Sequence, residues 1–197
     1  MAIALRKMTL EEYLDFEERS PHGHEYRDGI VYDLAAPSRN HADIAMNLSI
    51  VLGRVARNAG CMAYAGDMKL VTPSGDRLIP DFSIRCPSGR DESAARGENV
   101  VTDPWLVVEI LSPSTAVDDV TEKLAAYQSV STITHYIVVD SRRRAVRVFE
   151  RTADGKLAIG GAFRSVRFPR LSDVELTLDD IYRDTTVLAI EAAEADA

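Results

Sequence analysis

Residues 103–115, DPWLVVEILSPST, place Glu109 within an apolar run made of Trp105, Leu106, Val107, Val108, Ile110 and Leu111. An ionised carboxylate in such a run carries a desolvation cost that is met only by a paired charge, hydrogen bonds, a metal ion or an adjacent open cleft. Whatever this chain folds into must bring a partner to that position.

The pattern around it is α/β. Thr9 is placed to cap a helix over TLEEYLDFEE, with Glu12 three residues on as the reciprocal partner. HEYRDGIVYDLA, from His24, carries a turn pair at Asp28-Gly29 and reads as a small hairpin. Ser38 or Asn40 caps the next helix, whose apolar positions Ile44, Leu48, Val51, Leu52 and Val55 recur at helical spacing before Gly60 stops it. Residues 61–72 and 78–85 read as strands joined by a turn at 73–76, and 87–102 as a loop or broken helix.

The apolar runs Trp105–Leu111 and Tyr136–Val139 flank a helical segment over 117–130 with the stripe Val117, Val120, Leu124, Tyr127 and acids at its N-terminal end. Strand, crossover helix and strand make a parallel pair. Further strands are expected over 145–150, 156–160 and 163–168, then a short helix in TLDDIY and a frayed acidic tail. There is no internal repeat and no second-domain linker. The expected fold is a mixed central β-sheet flanked by helices, with an extension over 1–8, one domain over 9–185 and a tail over 186–197.

Length and composition agree with one soluble α/β domain: 197 residues, 46% hydrophobic and 27% charged. No run approaches the roughly 20 apolar residues that cross a bilayer, so no membrane partner is expected. Cys61 and Cys86 lack metal-ligand spacing and read as small buried hydrophobes, with a single bridge or a reactive thiol as the alternatives. Cytoplasmic location is the matching expectation. The net charge of −8 argues against coating nucleic acid by bulk electrostatics, although residues 141–170 hold nine basic against two acidic side chains. That segment is either a phosphate-facing strip or a solvated face bridged to the acidic end.

A second acid, Asp81, lies between Ile79 and Phe82 in RLIPDFSIRC, again on or at the mouth of an apolar strand. Two acids at the ends of neighbouring central strands repel one another and call for a cation. Mg²⁺ takes hard oxygen ligands, activates water and stabilises charge on a phosphoryl group; capping a loop or pairing with an arginine is the bland alternative. A cationic side chain near the scissile phosphate would help such chemistry. Leu111, two residues past Glu109, cannot supply it; Lys123 on the crossover helix could reach back, or could be a solvated lysine paired with Asp119 at i,i+4.

The ordered set HEYRDGIVYDLAAPSRNHADIAMNL, LIPDFSI, WLVVEILSPST, DDVTEKLAAYQSV and THYIVVD resembles the Uma-type "putative restriction endonuclease" family of the PD-(D/E)XK nuclease superfamily, over about residues 9–183. The resemblance implies a restriction endonuclease-like fold and a Mg²⁺-dependent endonuclease acting on DNA, with Mn²⁺ as substitute, no organic cofactor, and a homodimer where double-strand cutting needs two sites. It makes Asp81 the aspartate of the PD element and Glu109 the acid of the (D/E)XK element. Leu111 stands in the lysine place, and Lys123 matches the helix lysine thought to take over the role. Glu25 is similar to the additional acid that completes or orients the metal shell, so the implied ligands are Asp81, Glu109 and Glu25. His41 matches a recurring histidine that contacts phosphate or hydrogen-bonds an acid. Tyr127, one turn after Lys123, either positions it or packs, and His22, His24 and His135 have no comparable support.

Two other classes stay open. A nuclease-like nucleic-acid-binding or assembly module with little turnover is suggested by the acidic total charge and the displaced lysine. A hydrolase for a small phosphorylated substrate is disfavoured by the lack of any Walker loop or dinucleotide glycine pattern.

Overall fold

A computed structural model describes residues 3–34, 36–86, 99–111, 117–160 and 163–187. Most of the connection expected over 87–102, the SPST end of the Glu109 stretch and the tail from 188 lie outside the described residues.

The first half builds one six-stranded sheet. Strand β1 (Ile3–Lys7) pairs antiparallel with β3 (Ile30–Asp33), so residues 3–7 are part of a sheet. Helix α1 (Leu10–Glu18) starts at Thr9 with both halves of the capping box in place. Strand β2 (His24–Arg27) turns into β3 through Asp28 and Gly29. Both turn residues have positive φ, 49° and 79°, as a two-residue hairpin with right-handed strand twist requires. The sheet order is β1-β3-β2-β6-β5-β8, with β5 (Lys69–Val71), β6 (Arg77–Leu78) and β8 (Val100–Val101).

The second six-stranded sheet carries the central runs. Its order is β12-β11-β10-β9-β7-β4, and β9 (Leu106–Leu111) and β10 (His135–Asp140) are its parallel pair, joined across the crossover helix α4 (Val117–Ser129). Strand β7 (Phe82–Arg85) runs antiparallel to β9 on one side, and β11 (Val146–Arg151) antiparallel to β10 on the other. Outer strands β4 (Met62–Tyr64) and β12 (Leu157–Ile159) complete it, and β13 (Ser165–Phe168) with β14 (Val174–Thr177) forms a separate hairpin ahead of the short helix α5 (Leu178–Ile181).

The strands therefore divide between two sheets where the pattern alone suggested one, and each long strand expected over 61–85 is split. Gly66 and Asp67, both at positive φ, end β4 before β5 begins, and Pro80 separates β6 from β7. In each case the chain leaves one sheet and enters the other, because neither a left-handed pair nor a proline can continue a ladder.

Helix α2 (Arg39–Leu48) is capped by Ser38, whose hydroxyl accepts from the His41 amide. It runs through a π-helical turn, Ser49–Gly53, into α3 (Arg54–Asn58), which Gly60 terminates at φ 73°. One face of the second sheet, with Val108, Ile110 and Ile137, packs under Ile44, Leu48 and Leu52 of this helix. The opposite face, with Val107 and Val138, packs under Val120 and Tyr127 of α4 together with Leu70 and Leu78 of the first sheet. Because side chains alternate along a strand, Glu109 shares the α4 face with Val107. Among the described residues no helix is long and apolar enough to cross a membrane.

Cys61 and Cys86 form a disulfide, which corrects the expectation of two buried thiols. Strands β4 and β7 pair Met62 with Arg85, and one step further along that register sets Cys61 opposite Cys86.

Candidate active site

The register of β7 against β9 aligns Phe82 with Val108, which sets Asp81 opposite Glu109 at the mouth of the sheet. Asp81 Oδ2 accepts from the Ile110 amide at 2.6 Å, and its Oδ1 lies 3.0 Å from His41 Nε2. His41 owes its place to the Ser38 cap, which starts α2 so that its first turn faces the end of β9. Burial works against the imidazolium, but the hydrogen bond and charge of Asp81, the charge of Glu109 and the Ile110 carbonyl outweigh it and raise the His41 pKa.

Glu109 finds its partners on α4. Lys123 Nζ donates to Oε1 at 3.0 Å, and the Tyr127 hydroxyl donates to the same oxygen. Lys123 and Tyr127 are four residues apart, so one helical face presents both to one carboxylate. Lys123 is only 8% exposed, which removes the reading of a solvated surface lysine. Tyr127 is fully buried, and the sequence reading undervalued it: its hydroxyl is spent on Glu109 rather than on packing alone. Burial holds the tyrosine's own pKa far above its usual value, with the Glu109 charge adding to the effect.

Glu25, from β2, closes the group from the first sheet. Its Oε1 lies 2.9 Å from Lys123 Nζ and accepts from the Ile79 amide at 3.0 Å, while its Oε2 is buried with no hydrogen-bond partner among the described residues. Arg27, which the sequence reading missed, stands 3.7 Å from Glu25 Oε2 and 3.4 Å from Glu122 Oε2, with its guanidinium over the Tyr32 ring. The signal for it was the i,i+2 spacing of Glu25 and Arg27, which puts both on one strand face.

The five expected residues thus gather, but in two groups: His41 paired with Asp81, and the Lys123 ammonium between Glu25 and Glu109. Burial pushes the Glu109 carboxyl up to about 8; Lys123 and Tyr127 pull it down, and the Asp81 and Glu25 charges push it further up. Among the described residues, the three acids do not offer three oxygens within 4.8 Å of one another. Asp81 and Glu109 lie opposite one another across β7 and β9, and their hard oxygens suit a divalent cation that retains several waters.

The basic segment is largely spoken for. Arg142 and Arg143 pair with Asp140, Arg144 with Asp179, and Arg167 with Glu175, while Arg151 donates to the main-chain carbonyls of Gln128, Val130, Ile133 and Gly155. Bridging within the fold accounts for these side chains better than a continuous phosphate-facing strip.

Residues 10–180 match the family model described as "Uma2: Putative restriction endonuclease". The chain is 31% identical over 179 residues to the uncharacterized protein slr1290 of Synechocystis sp. PCC 6803, covering 90% of this chain and 92% of that one. It is 28% identical over 158 residues to a second uncharacterized protein of that organism, sll1609, covering 78% and 87%. In fold it is similar to the crystal structure of a "putative nuclease belonging to DUF820" from Anabaena variabilis, with a TM-score of 0.70 at 20% identity, over 89% of this chain and 97% of that one. A family match across this much of the length, carried by a restriction endonuclease-like architecture, places the chain in the Uma2 family.

Proposed function

We propose that the protein is a metal-dependent endonuclease that hydrolyses DNA phosphodiester bonds at the Asp81–Glu109 mouth. The observation that carries this reading is Lys123 Nζ at 3.0 Å from Glu109 Oε1. A strand lysine two residues past the acid is absent, since Leu111 stands there, and the helix delivers an ammonium to the carboxylate instead.

Asp81 and Glu109 would hold the ion, Mg²⁺ by preference and Mn²⁺ as substitute, with Glu25 acting on the ammonium behind them or through water. When bound, such an ion supplies a more acidic water and neutralises charge on a phosphoryl group. The chain's own contribution is positional. The Ile110 amide and His41 fix the Asp81 carboxylate, and Tyr127 fixes Glu109. Lys123 sets a positive charge beside the acids, where it would steady a phosphoryl oxygen or orient the attacking water.

The test is cleavage of plasmid DNA by the purified chain with Mg²⁺ or Mn²⁺. Asp81→Ala and Glu109→Ala should each abolish cutting while the protein stays folded, and Lys123→Met should lower the rate about 10²–10³-fold, the size of losing one charge-stabilising donor. Cutting that proceeds without divalent ions and survives both acid substitutions overturns the reading. The clamped ammonium, held by two carboxylates at once, favours one other function: a DNA-binding or assembly module with little turnover. Salt-sensitive DNA binding without cleavage on varied substrates would select it.

A further inference from the structure

On the opposite face of β2 from Glu25 lies a second group of metal-ligating side chains. We propose that His22, His24 and Asp33 bind one transition-metal ion of the zinc class, oriented by Glu17, in a site independent of the Asp81–Glu109 pair.

The hairpin register creates the arrangement. His24 is directly paired with Asp33 across β2 and β3, and His22, in the bend that leads into β2, has its ring 5.2 Å from that of His24. His24 Nε2 is 3.9 Å and His22 Nε2 4.0 Å from Asp33 Oδ1, and the three donor atoms lie within 4.8 Å of one another. Among the described residues this is the only group of three or more such side chains with that geometry. Bonds of about 2.0–2.1 Å at tetrahedral angles set ligand atoms about 3.3 Å apart, so closure needs shifts on the order of an ångström or less. The two side chains that would move are the free ones: His22 is 65% and Asp33 39% exposed.

The third ligand is already fixed. His24 is buried, its ring packs against Phe16, and its Nδ1 lies 3.0 Å from Glu17 Oε2 while its amide donates to Glu17 Oε1 at 3.0 Å. A carboxylate on Nδ1 holds the proton there and leaves the Nε2 lone pair facing the ligand position, the orienting arrangement that metal-bound histidines use. Lys69 Nζ, 2.6 Å from Glu17 Oε1, keeps that carboxylate in place. Two imidazoles and one carboxylate select Zn²⁺, Co²⁺, Ni²⁺ or Cu²⁺ over Mg²⁺, whose ligands are oxygens. A bound ion would tie α1, through Glu17, to the β2–β3 hairpin, and an ion that binds only the folded chain raises its stability.

The full chain, freed of any histidine tag, should be titrated with Co²⁺ alone. The expected result is that one equivalent gives the intense visible absorption of four-coordinate cobalt, displaced by Zn²⁺ and accompanied by a higher unfolding temperature. His22→Gln and Asp33→Asn should each weaken binding at least tenfold, and Glu17→Gln roughly 10–100-fold. His22 is exposed enough that its substitution leaves folding intact, so the test does not hang on buried His24. Asp81→Asn with Glu109→Gln should leave the cobalt spectrum unchanged. No saturable binding at micromolar Co²⁺, binding indifferent to His22→Gln and Asp33→Asn, or binding lost with the Asp81 and Glu109 substitutions would each overturn the site.

Discussion

Glu109 holds its proton more tightly in the folded chain than out of it, and this fixes the sign of a pH effect. Its carboxyl rises from 4.5 to about 8 on folding, so across that window the native state carries more protons than the unfolded one. Stability of the metal-free protein falls as pH rises through this range and levels off above it, and His41, also raised, adds to the fall on the basic side of 6.5. A divalent cation favours the ionised acid, so Mg²⁺ should raise the unfolding temperature more at the alkaline end of the window than at the acidic end. Calorimetry with and without Mg²⁺ checks this; an equal rise at both ends contradicts it. Tyr127→Phe removes a hydrogen bond that pulls Glu109 down, so it should cost about 1.5–3 kcal/mol in urea denaturation and move the pH-dependent loss to higher pH. Lys123→Met leaves two buried acids without their shared ammonium and should cost roughly 3–5 kcal/mol.

The elements that position the site owe their ends to short-range chemistry, and those ends were legible in the sequence. Thr9 with Glu12, Ser38, Asp28-Gly29 and Gly60 all act where their local pattern put them. Ser38→Ala should cost about 1 kcal/mol and also reduce the hold of His41 on Asp81, because the cap sets where α2 begins. Chemical denaturation reads the first effect, and the His41 titration followed by NMR the second, as a lower pKa. What the sequence hid was long-range. The breaks at Gly66-Asp67 and Pro80 fall inside runs that read as continuous strands, yet they are where the chain changes sheet. Asp81 and Glu109 were recognisable as acids in apolar surroundings, whereas Tyr127 and Arg27 were not, because an ordinary helix tyrosine and a hairpin arginine gain their roles only from what the other sheet brings to them.

For the molecule as a whole, the Cys61–Cys86 bridge closes a 25-residue loop that contains both of these crossings between the two sheets. Constraining a loop of that size in the unfolded chain stabilises by roughly 3 kcal/mol on the chain-entropy account. Replacing both cysteines with serine should lower the unfolding free energy by about that amount, and thiol titration of the untreated, denatured protein should find neither cysteine free. The pairing was out of reach of spacing arguments because it depends on the β4–β7 register, which only the assembled sheet reveals.

Delivering the ammonium from α4 instead of from β9 has a consequence for timing. A residue within a strand is held by ladder bonds on both sides, but a helix can lift from its sheet as a unit. Any fluctuation that undocks α4 withdraws Lys123 and Tyr127 together and leaves the acids facing water. Amide exchange along that helix should then rise as the fraction of molecules with the ammonium in place falls, which makes the seam under α4 the clock of the site.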